Sequence, residues 1–347
     1  MNNIRIANGE SEYREKTGFN ENIPLFFSDS YRKYQTYRKS RNKQYILLFS
    51  SEYVIPVLIR KYFLFKYAEL ESTPFHYKQG LESEAFFLES VCRFLKNKLH
   101  VQWLLETPVY ALFGAYPSKA KTIKFANTAI DLNKQEEDVF ASLSYPFRKA
   151  VRRALKWDVF CRIGGKELID DFAKLEAITW QRSGTSLDHT KDSFYDDLFE
   201  CMSDNVVVSM SYKGDVPQAG LVCYYDEDTC YAMFGAHADE MEGGSNNLLY
   251  WQTMQWCINK GIKKFFIVGY RLKVDEDSKV ARIQRFKDTF NGTHEEGFMF
   301  RMTFKPVYAK LYSKMLSFYS LIRTGKKTPS GGDIISQEIH KWPEYND

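Results

Sequence analysis

Two regions of the chain share a pattern of apolar runs broken by short polar turns. In the first, QYILLFS (44–50) is followed by a Ser-Glu turn and then by YVIPVLIRKYFLF (53–65). In the second, NVVVSMSYKGDVPQAGLVCYY (205–225) carries a Lys-Gly-Asp turn and an early proline in its second run. β-Branched and aromatic runs separated by short turns are typical of β-hairpins. The pattern therefore predicts two hairpins. Their likeness has two explanations, a repeated α/β module or coincidence.

The second hairpin is followed by further apolar runs that extend it into a domain. The run TCYAMFGAH (229–237) predicts a third strand. NNLLYWQTMQWCINKG (246–261) predicts a helix, with Asn or Ser at its start and Gly261 just past its end. KKFFIVG (263–269) then predicts a short buried strand. The order β-β-β-α-β over 205–269 is that of an α/β domain.

Apolar residues that recur every three or four positions predict further helices at 146–157, 167–184, 307–322 and in the stretch that ends at Gly292. Gly292 is expected at the position after the last helical residue, where glycine adopts a left-handed conformation. The apolar stripe of 307–322 is expected to pack in a core, with contact with a membrane surface as the alternative. The polar remainder, 324–347, predicts a flexible tail.

Length, net charge and cysteine content restrict the class of protein. A length of 347 residues favours two domains, which we place at 1–145 and 146–323. The net charge of +4 permits an anionic partner without requiring one. The six cysteines form no CxxC pair, and the N-terminus lacks an apolar signal region. With no stretch long enough for a membrane span, these features predict a cytoplasmic protein.

Several common mechanisms find no support in the sequence. It contains no HExxH, GxSxG or Walker motif and no cysteine or histidine cluster with metal-ligand spacing. The six histidines are isolated along the chain, so they do not indicate a catalytic triad. The sequence therefore predicts no metal site.

The loop HADEMEGGSNN (237–247) lies between a predicted strand and a predicted helix. Its candidate binding residues are Gly243, Gly244, Ser245 and Asn246, because flexible glycines before a helix N-terminus present backbone N–H groups to an anion. The alternative is an ordinary connection with Ser245 or Asn246 as the helix cap. Three neighbouring acidic side chains weaken the anion-site interpretation.

Two basic segments are candidates for phosphate or nucleic-acid contact. In the helix 146–157, Arg148 and Arg152 belong to a dense group of cations that suits phosphates, although a solvated helix face between two domains has the same pattern. In SYRKYQTYRKSRNKQY (30–45), tyrosines alternate with basic residues. Such a segment can stack on bases, although a surface helix with one packed tyrosine stripe explains it more simply.

The stretch IQRFKDTFNG (283–292) sets Phe286 and Phe290 on one face of a helix and places Lys287 among other cations. By itself it predicts an amphipathic helix. Together with other short motifs, it resembles the Fem family of peptidoglycan bridge-forming transferases. The motifs that carry the resemblance, in chain order, are TAIDL (128–132), FRKAVRRALKWDVFCRIGG (147–165), PQAG (217–220), YAMFGAH (231–237), SNNLLYWQTMQWCINKGIKKFFIVG (245–269) and RFKDTFNG (285–292).

The resemblance covers about 40–300 and implies a fold and a reaction. The fold is α/β (α+β), with two tandem GNAT-like domains whose mixed central sheets are flanked by helices. The reaction is transfer of an acyl or aminoacyl group to an amine, with acyl-CoA or aminoacyl-tRNA as co-substrate and no permanently bound cofactor. The acceptor is a nucleotide- or lipid-linked sugar or muropeptide. The implied partners therefore include tRNA and the inner face of the membrane.

The resemblance places the site in the second domain. Catalytic roles fall to Lys287, supported by Phe286, and to the backbone at Phe234 and Gly235. Tyr270 and Arg271, at the end of a strand, join the binding set. Arg148 and Arg152 are expected to reach acceptor phosphates from the interdomain side.

One departure from the resemblance concerns the donor. The loop that binds acyl-CoA in GNAT domains usually starts with a basic or amide residue, whereas here Glu240 occupies that position. This difference argues against ordinary CoA binding at the loop. Two alternatives to an enzyme stay open. One is a non-catalytic binding module for anionic glycan precursors, and the other is an RNA-binding protein.

Overall fold

The structure, a computed structural model, describes residues 4–37, 42–183, 193–324 and 333–342. The chain divides into two compact units. The first unit comprises residues 1–125 and 296–347, and the second comprises residues 126–295. The chain passes into the second unit within one strand and returns within another.

The strands, in chain order, are β1 (Arg5–Ala7), β2 (Lys43–Phe49), β3 (Tyr53–Tyr62), β4 (Phe65–Leu70), β5 (Phe75–His76), β6 (Trp103–Leu104), β7 (Lys121–Asp131), β8 (Val159–Gly164), β9 (Val206–Lys213), β10 (Val216–Tyr225), β11 (Thr229–His237), β12 (Lys264–Tyr270) and β13 (Thr293–Thr303). The helices are α1 (Glu10–Thr17), α2 (Asp29–Thr36), α3 (Glu84–Asn97), α4 (Glu136–Ser142), α5 (Tyr145–Lys156), α6 (Ile169–Ser183), α7 (Phe194–Met202), α8 (Ser245–Lys260), α9 (Lys279–Asp288), α10 (Pro306–Thr324) and α11 (Ile334–Lys341).

The first unit is built on a mixed sheet. Its strand order is β1-β2-β3-β4-β6-β13, and β5 pairs with β3. The neighbours are antiparallel except β4 and β6, which run parallel and are connected through α3. Helix α3 begins at Ser83, whose side chain accepts a hydrogen bond from the Phe86 N–H, and it buries Phe87 and Val91 in the core.

The second unit repeats this arrangement. Its strand order is β8-β9-β10-β11-β12-β7, again antiparallel except for one parallel pair, β11 and β12, which α8 connects. Helices α5 and α8 pack together over the core, where Phe147, Leu248 and Phe265 are fully buried. Because both units share the same strand pairing, the prediction of a repeated module is confirmed. The predicted α/β fold class with mixed sheets is also confirmed.

The compact units do not coincide with the predicted domains 1–145 and 146–323. Residues 126–145 belong to the second unit because Ile130, Leu132 and Val139 are buried in its core. Residues 296–323 belong to the first unit because Phe300 is buried against that unit's sheet. Contacts in space, and not the spacing of apolar runs, decide these boundaries.

The predicted flexible tail, 324–347, contains α11, so the prediction is wrong for this helix. The Asp333 side chain caps it by accepting from the Ser336 N–H at 2.6 Å, and Arg301 pairs with Asp333. The Glu106 carboxylate accepts hydrogen bonds from the N–H groups of Ile334 and Ile335. Residues 325–332 and 343–347 lie outside the described part of the chain, as do 38–41 of the tyrosine-rich segment.

Two details of helix packing differ from expectation. The apolar stripe of α10 is exposed at Val307 and Phe318, and the helix instead packs through Tyr312. Gly292 does not have the left-handed backbone predicted for it, which Asn291 adopts with φ of 50°. A Cβ at Gly292 would lie 2.7 Å from the Ala129 carbonyl oxygen, so glycine is required there by close backbone approach.

Candidate active site

The parallel strands β11 and β12 separate at their carboxyl ends. They pair from Thr229–Lys264 to Ala232–Ile267, and the pairing stops there although both strands continue. Extending the register would set Phe234 opposite Gly269. Gly235 is exposed near the carboxyl end of β11, and a Cβ at this position would meet nothing closer than 3.8 Å. The two strand ends therefore border an opening at the edge where α/β proteins commonly bind ligands.

Irregular pairing with the outer neighbours accompanies the separation. The register between β10 and β11 shifts between Val222 and Cys223, and that between β12 and β7 shifts between Ile267 and Tyr270. Gly269 has φ of 83°, a conformation that favours glycine. Its N–H donates to Oδ1 of buried Asn127 at 2.7 Å. The bulge in β12 is thus fixed by a side chain from β7.

The bulge turns two consecutive carbonyl groups toward Lys287. The Lys287 Nζ donates to the carbonyl oxygens of Val268 at 2.6 Å and Gly269 at 2.5 Å. Lys287 is only 8% exposed, and burial lowers its pKa to about 8. An ammonium has three N–H donors, and within the described residues the third finds no acceptor and no carboxylate pairs with the charge. Lys287 is therefore a buried cation with one unused donor.

Aromatic side chains hold α9 against α8 beside this ammonium. The Tyr250 ring lies 5.7 Å from that of Phe286 and 5.2 Å from that of Phe290, between ring centroids. The Tyr250 hydroxyl is the nearest atom to the ideal Cβ of Gly235, at 3.8 Å. Burial raises the pKa of Tyr250, so the hydroxyl keeps its proton and is available as a donor at neutral pH. Sequence reasoning missed Tyr250, because helical spacing alone presents it as a core residue.

A polar group follows the bulge at the end of β12. The Tyr270 ring stacks on the His294 ring with centroids 3.9 Å apart. The His294 Nε2 lies 3.5 Å from Asp288 Oδ1, and its Nδ1 lies 3.3 Å from the Thr128 hydroxyl. Gln284 was also missed from the sequence. Its Nε2 donates to the Arg271 carbonyl at 2.6 Å, while its buried Oε1 has no partner in the described part of the chain.

The glycines before α8 are explained by packing against α5. Gly244 has φ of 98°, and a Cβ there would lie 2.2 Å from the Ala150 carbonyl oxygen. Arg153 Nε donates to the Gly243 carbonyl at 3.1 Å. The Ser245 hydroxyl is buried and donates to the Glu242 carbonyl at 2.7 Å. These contacts bring the predicted residues Gly243–Asn246 to the start of α8, but the close approach made by Gly244 is to protein backbone.

The predicted arginines of α5 differ in their surroundings. Arg148 is half-buried, and its Nε is buried without a hydrogen-bond partner in the described residues. Arg152 is exposed, with its guanidinium 5.8 Å from the centroid of the Phe140 ring. Of the predicted site residues, Phe234, Gly235, Tyr270 and Lys287 border the opening between β11 and β12. Phe286 supports it from the core.

Residues 142–273 match the family model described as the acetyltransferase (GNAT) domain. These residues lie within the second unit. This unit contains a GNAT-like domain. The opening between β11 and β12 and the start of α8 both belong to the matched segment. Lys287 lies beyond its end.

Solved structures share the fold over most of the chain. A structure of FemX superposes with a TM-score of 0.64 at 11% identity and covers 88% of this chain and 99% of its own. L-PGS from Bacillus licheniformis superposes with a TM-score of 0.51 at 11% identity and covers 88% of this chain and 95% of its own. The C-terminal domain of a putative lysylphosphatidylglycerol synthetase from Agrobacterium fabrum superposes with a TM-score of 0.50 at 12% identity. It covers 81% of this chain and 89% of its own. No curated protein matches the sequence.

The match to the acetyltransferase domain supports acyl transfer as the general class of activity. At these identities the solved structures show the fold alone.

Proposed function

We propose that this protein is an acyltransferase that moves an acyl or aminoacyl group from an activated ester or thioester to the amine of a cell-envelope precursor. The observation that carries the proposal is the Lys287 ammonium. It is buried where β11 and β12 separate, and among the described residues one of its N–H donors has no acceptor and no carboxylate pairs with its charge. A carbonyl or phosphate oxygen of a substrate supplies the missing acceptor.

The proposed chemistry assigns a role to each side of the opening. The amine nitrogen of the acceptor attacks the donor's carbonyl carbon, and a C–N bond forms. The negative charge that develops on the carbonyl oxygen is stabilised by Lys287 and by the Tyr250 hydroxyl. The C–O or C–S bond to the leaving group then breaks. Water or the substrate takes the proton that the amine loses, since no protein base is assigned.

The loop before α8 bears on the choice of donor. Its glycines approach α5, and Glu242 pairs with Lys213 there. Asp239 pairs with Arg182 at 2.9 Å. The loop therefore lacks the open, basic character that favours the pyrophosphate of CoA. This difference favours aminoacyl-tRNA over acyl-CoA as the donor.

The acceptor is proposed from the α5 cations and from the fold comparison. The Nε of Arg148, which has no hydrogen-bond partner in the described residues, and the exposed guanidinium of Arg152 suit the phosphates of a nucleotide- or lipid-linked precursor. One structure of the same fold is the C-terminal domain of a putative lysylphosphatidylglycerol synthetase.

A binding screen tests the proposal. Thermal unfolding is measured with acetyl-CoA, with a mixture of aminoacyl-tRNAs, with the same tRNAs after deacylation, and with a panel of UDP-sugars. Stabilisation by a donor is expected. Stabilisation by UDP-sugars alone would replace the enzyme with a glycan-binding module. Equal stabilisation by charged and deacylated tRNA would favour the RNA-binding alternative.

Variants at Lys287 test its role. Lys287→Met removes the ammonium and retains the apolar stem, and we expect at least a hundredfold loss of transfer, since one donor to an oxyanion contributes about 10²–10³ in rate. Lys287→Arg should retain part of the activity. Lys279→Met changes an exposed lysine of the same helix and serves as the matched control. Full activity in Lys287→Met would disprove the assignment.

Stability has to be measured on the same variants. Loss of Lys287 leaves two carbonyl groups without their donor, at about 1–3 kcal/mol each, but it also removes a costly buried charge. These effects oppose each other. We therefore expect the free energy of unfolding of Lys287→Met to lie within about 2 kcal/mol of the wild-type value. A larger loss would indicate that Lys287 serves mainly to hold the β12 bulge.

A further inference from the structure

The turn between β3 and β4 exposes large apolar side chains. Tyr62 pairs with Phe65, so Phe63 and Leu64 form a two-residue turn. Phe63 is 76% exposed and Leu64 77%. Such turns favour Asn-Gly or Asp-Gly, because their backbone enters the left-handed region. Phe63 has φ of 51°, which is unfavourable for an aromatic residue. Folding therefore does not explain the choice of residues at this tip.

Helix α10 lies beside the base of the same hairpin. Its Tyr312 ring packs 5.0 Å from Phe65 and 5.1 Å from Trp103, between centroids. The outer face of α10 carries Val307, Leu311 and Phe318, which lie within about 40° of one another on a helix with 3.6 residues per turn. Val307 is 76% exposed and Phe318 66%. Two apolar features thus project from one part of the first unit.

Cations accompany both features without nearby acidic residues in the sequence. The hairpin carries Lys61 and Lys66 around its tip, and α10 carries Lys310 and Lys314 along the flank of its apolar stripe. No Asp or Glu occurs in 53–68 or in 297–332. Burial and the neighbouring Lys61 lower the pKa of Lys66, as expected where positive charge is concentrated. The partner of this surface must therefore carry negative charge and accept apolar side chains.

A second copy of the chain fits this requirement poorly. A two-fold interface would place the same lysines of both copies against each other, with no carboxylate on these segments to compensate. An anionic bilayer supplies both requirements, because its phosphates attract lysines and its acyl region takes up aromatic and aliphatic side chains. Among the described residues, no helix is long and apolar enough to cross a membrane.

We propose that the tip Tyr62–Leu64 and the outer face of α10 together form a membrane-docking surface for bilayers with anionic phosphate headgroups. Phe63 and Leu64 enter the interface between headgroups and acyl chains. Lys310 and Lys314 contact phosphates beside them. This proposal is independent of the acyltransfer reaction, because it concerns the first unit and requires no substrate.

Vesicle sedimentation with the full chain tests the surface. Wild type is expected to pellet with vesicles of phosphatidylcholine mixed with phosphatidylglycerol, and much less with phosphatidylcholine alone or at raised salt. The double variant Phe63→Ser/Leu64→Ser should bind the anionic vesicles on the order of tenfold to a hundredfold more weakly. Lys310→Gln/Lys314→Gln should bind these vesicles about thirtyfold more weakly and show a smaller dependence on salt.

Leu81→Ser is the matched control, since Leu81 is also a fully exposed leucine of the first unit but lies outside this surface. It should bind vesicles as wild type does. The proposal would be overturned if wild type and Phe63→Ser/Leu64→Ser pelleted equally, or if binding did not depend on the charge of the lipid. A wild-type dimer in sedimentation velocity that this double variant dissociates would also overturn it, because the surface would then be a contact between copies.

Discussion

At the scale of the residue, Lys287 combines burial with incomplete pairing. Its ammonium is held by two carbonyl groups of one β-bulge and has no acidic partner in the described residues. Lys279 on the same helix is exposed to water. Burial therefore makes the charge state of Lys287 sensitive to its surroundings.

This dependence gives a prediction for pH. Because burial lowers the pKa of Lys287 to about 8, the ammonium loses its proton as pH rises through that value. Stabilisation of the oxyanion should decrease as the proton is lost, so the rate of acyl transfer by the wild type should decline above about pH 8. In Lys287→Arg the decline should disappear, since an arginine stays charged. Initial rates over the range from neutral to alkaline pH, with the donor found in the binding screen, measure this.

Stability should move in the opposite direction over part of the range. The folded pKa lies below the ordinary value of 10.5, so between about 8 and 10.5 the unfolded chain binds more protons at this residue. The contribution of Lys287 to the free energy of unfolding therefore increases with pH in that window. A rate and a stability that fall together above pH 8 would indicate general unfolding and would contradict the assignment.

Residues of the site differ in how far sequence could reveal them. Lys287 and Phe286 could be selected because they stand in a motif with recognisable spacing. Asn127 could not, since it reaches Gly269 across 142 positions of the chain through the register of two strands. Tyr250 and Gln284 were missed for a related reason. Their position beside the opening follows from the packing of the sheet and helices, which the local sequence pattern does not predict.

At the scale of the element, the start of α8 is fixed by its contact with α5. Gly244 combines a φ of 98° with a backbone approach to Ala150 that leaves no room for a Cβ. We predict that Gly244→Ala lowers the free energy of unfolding by about 3 kcal/mol or more, from backbone strain and displacement of α5 together. Chemical denaturation measures this.

Gly214 provides the matched control. It also has positive φ, at 56°, but a Cβ there would meet nothing within 4 Å. Gly214→Ala should therefore lower the free energy of unfolding by only about 1–2 kcal/mol, the cost of the left-handed conformation itself. If the two variants lost equal stability, the approach of Gly244 to α5 would not be a determinant of the fold.

The helices and strands that could be predicted are those whose periodicity is local. The two hairpins, α5, α8 and β12 were all expected from runs of seven to sixteen residues. The separation of β11 from β12 could not be predicted. It depends on irregular pairing with β10 and β7, and a bulge leaves little trace in a hydrophobic pattern.

At the scale of the whole molecule, the C-terminal segment completes the first unit. Ile335 of α11 is fully buried in a cluster with Ile123, Phe125 and Met299. We predict that Ile335→Ala lowers the stability of the first unit by about 2–5 kcal/mol, because it leaves a cavity in that cluster. Thermal or chemical unfolding measures the change.

His340→Ala, on the exposed side of the same helix, should change stability by less than about 0.5 kcal/mol. Similar values for the two variants would mean that α11 contributes little to the core. The polar composition of 324–347 concealed this contact, because a short helix needs only one or two buried side chains to pack.

The pattern left a repeated module and coincidence open and the resemblance implied the repeat, whereas neither predicted the boundaries of the compact units. Strand β13 follows the second module in sequence but pairs with β6 of the first unit. A strand of this kind carries no local signal for which sheet it joins, and only long-range pairing assigns it.

The discontinuity of the first unit has a consequence for biosynthesis. The second unit is one continuous segment, 126–295, whereas the first requires both 1–125 and 296–347. During translation, β1–β6 emerge before β13, α10 and α11, so their sheet and core are incomplete until those later elements appear. The later segment therefore determines when the earlier portion of the first unit reaches its native state, and the intervening unit can fold during that interval.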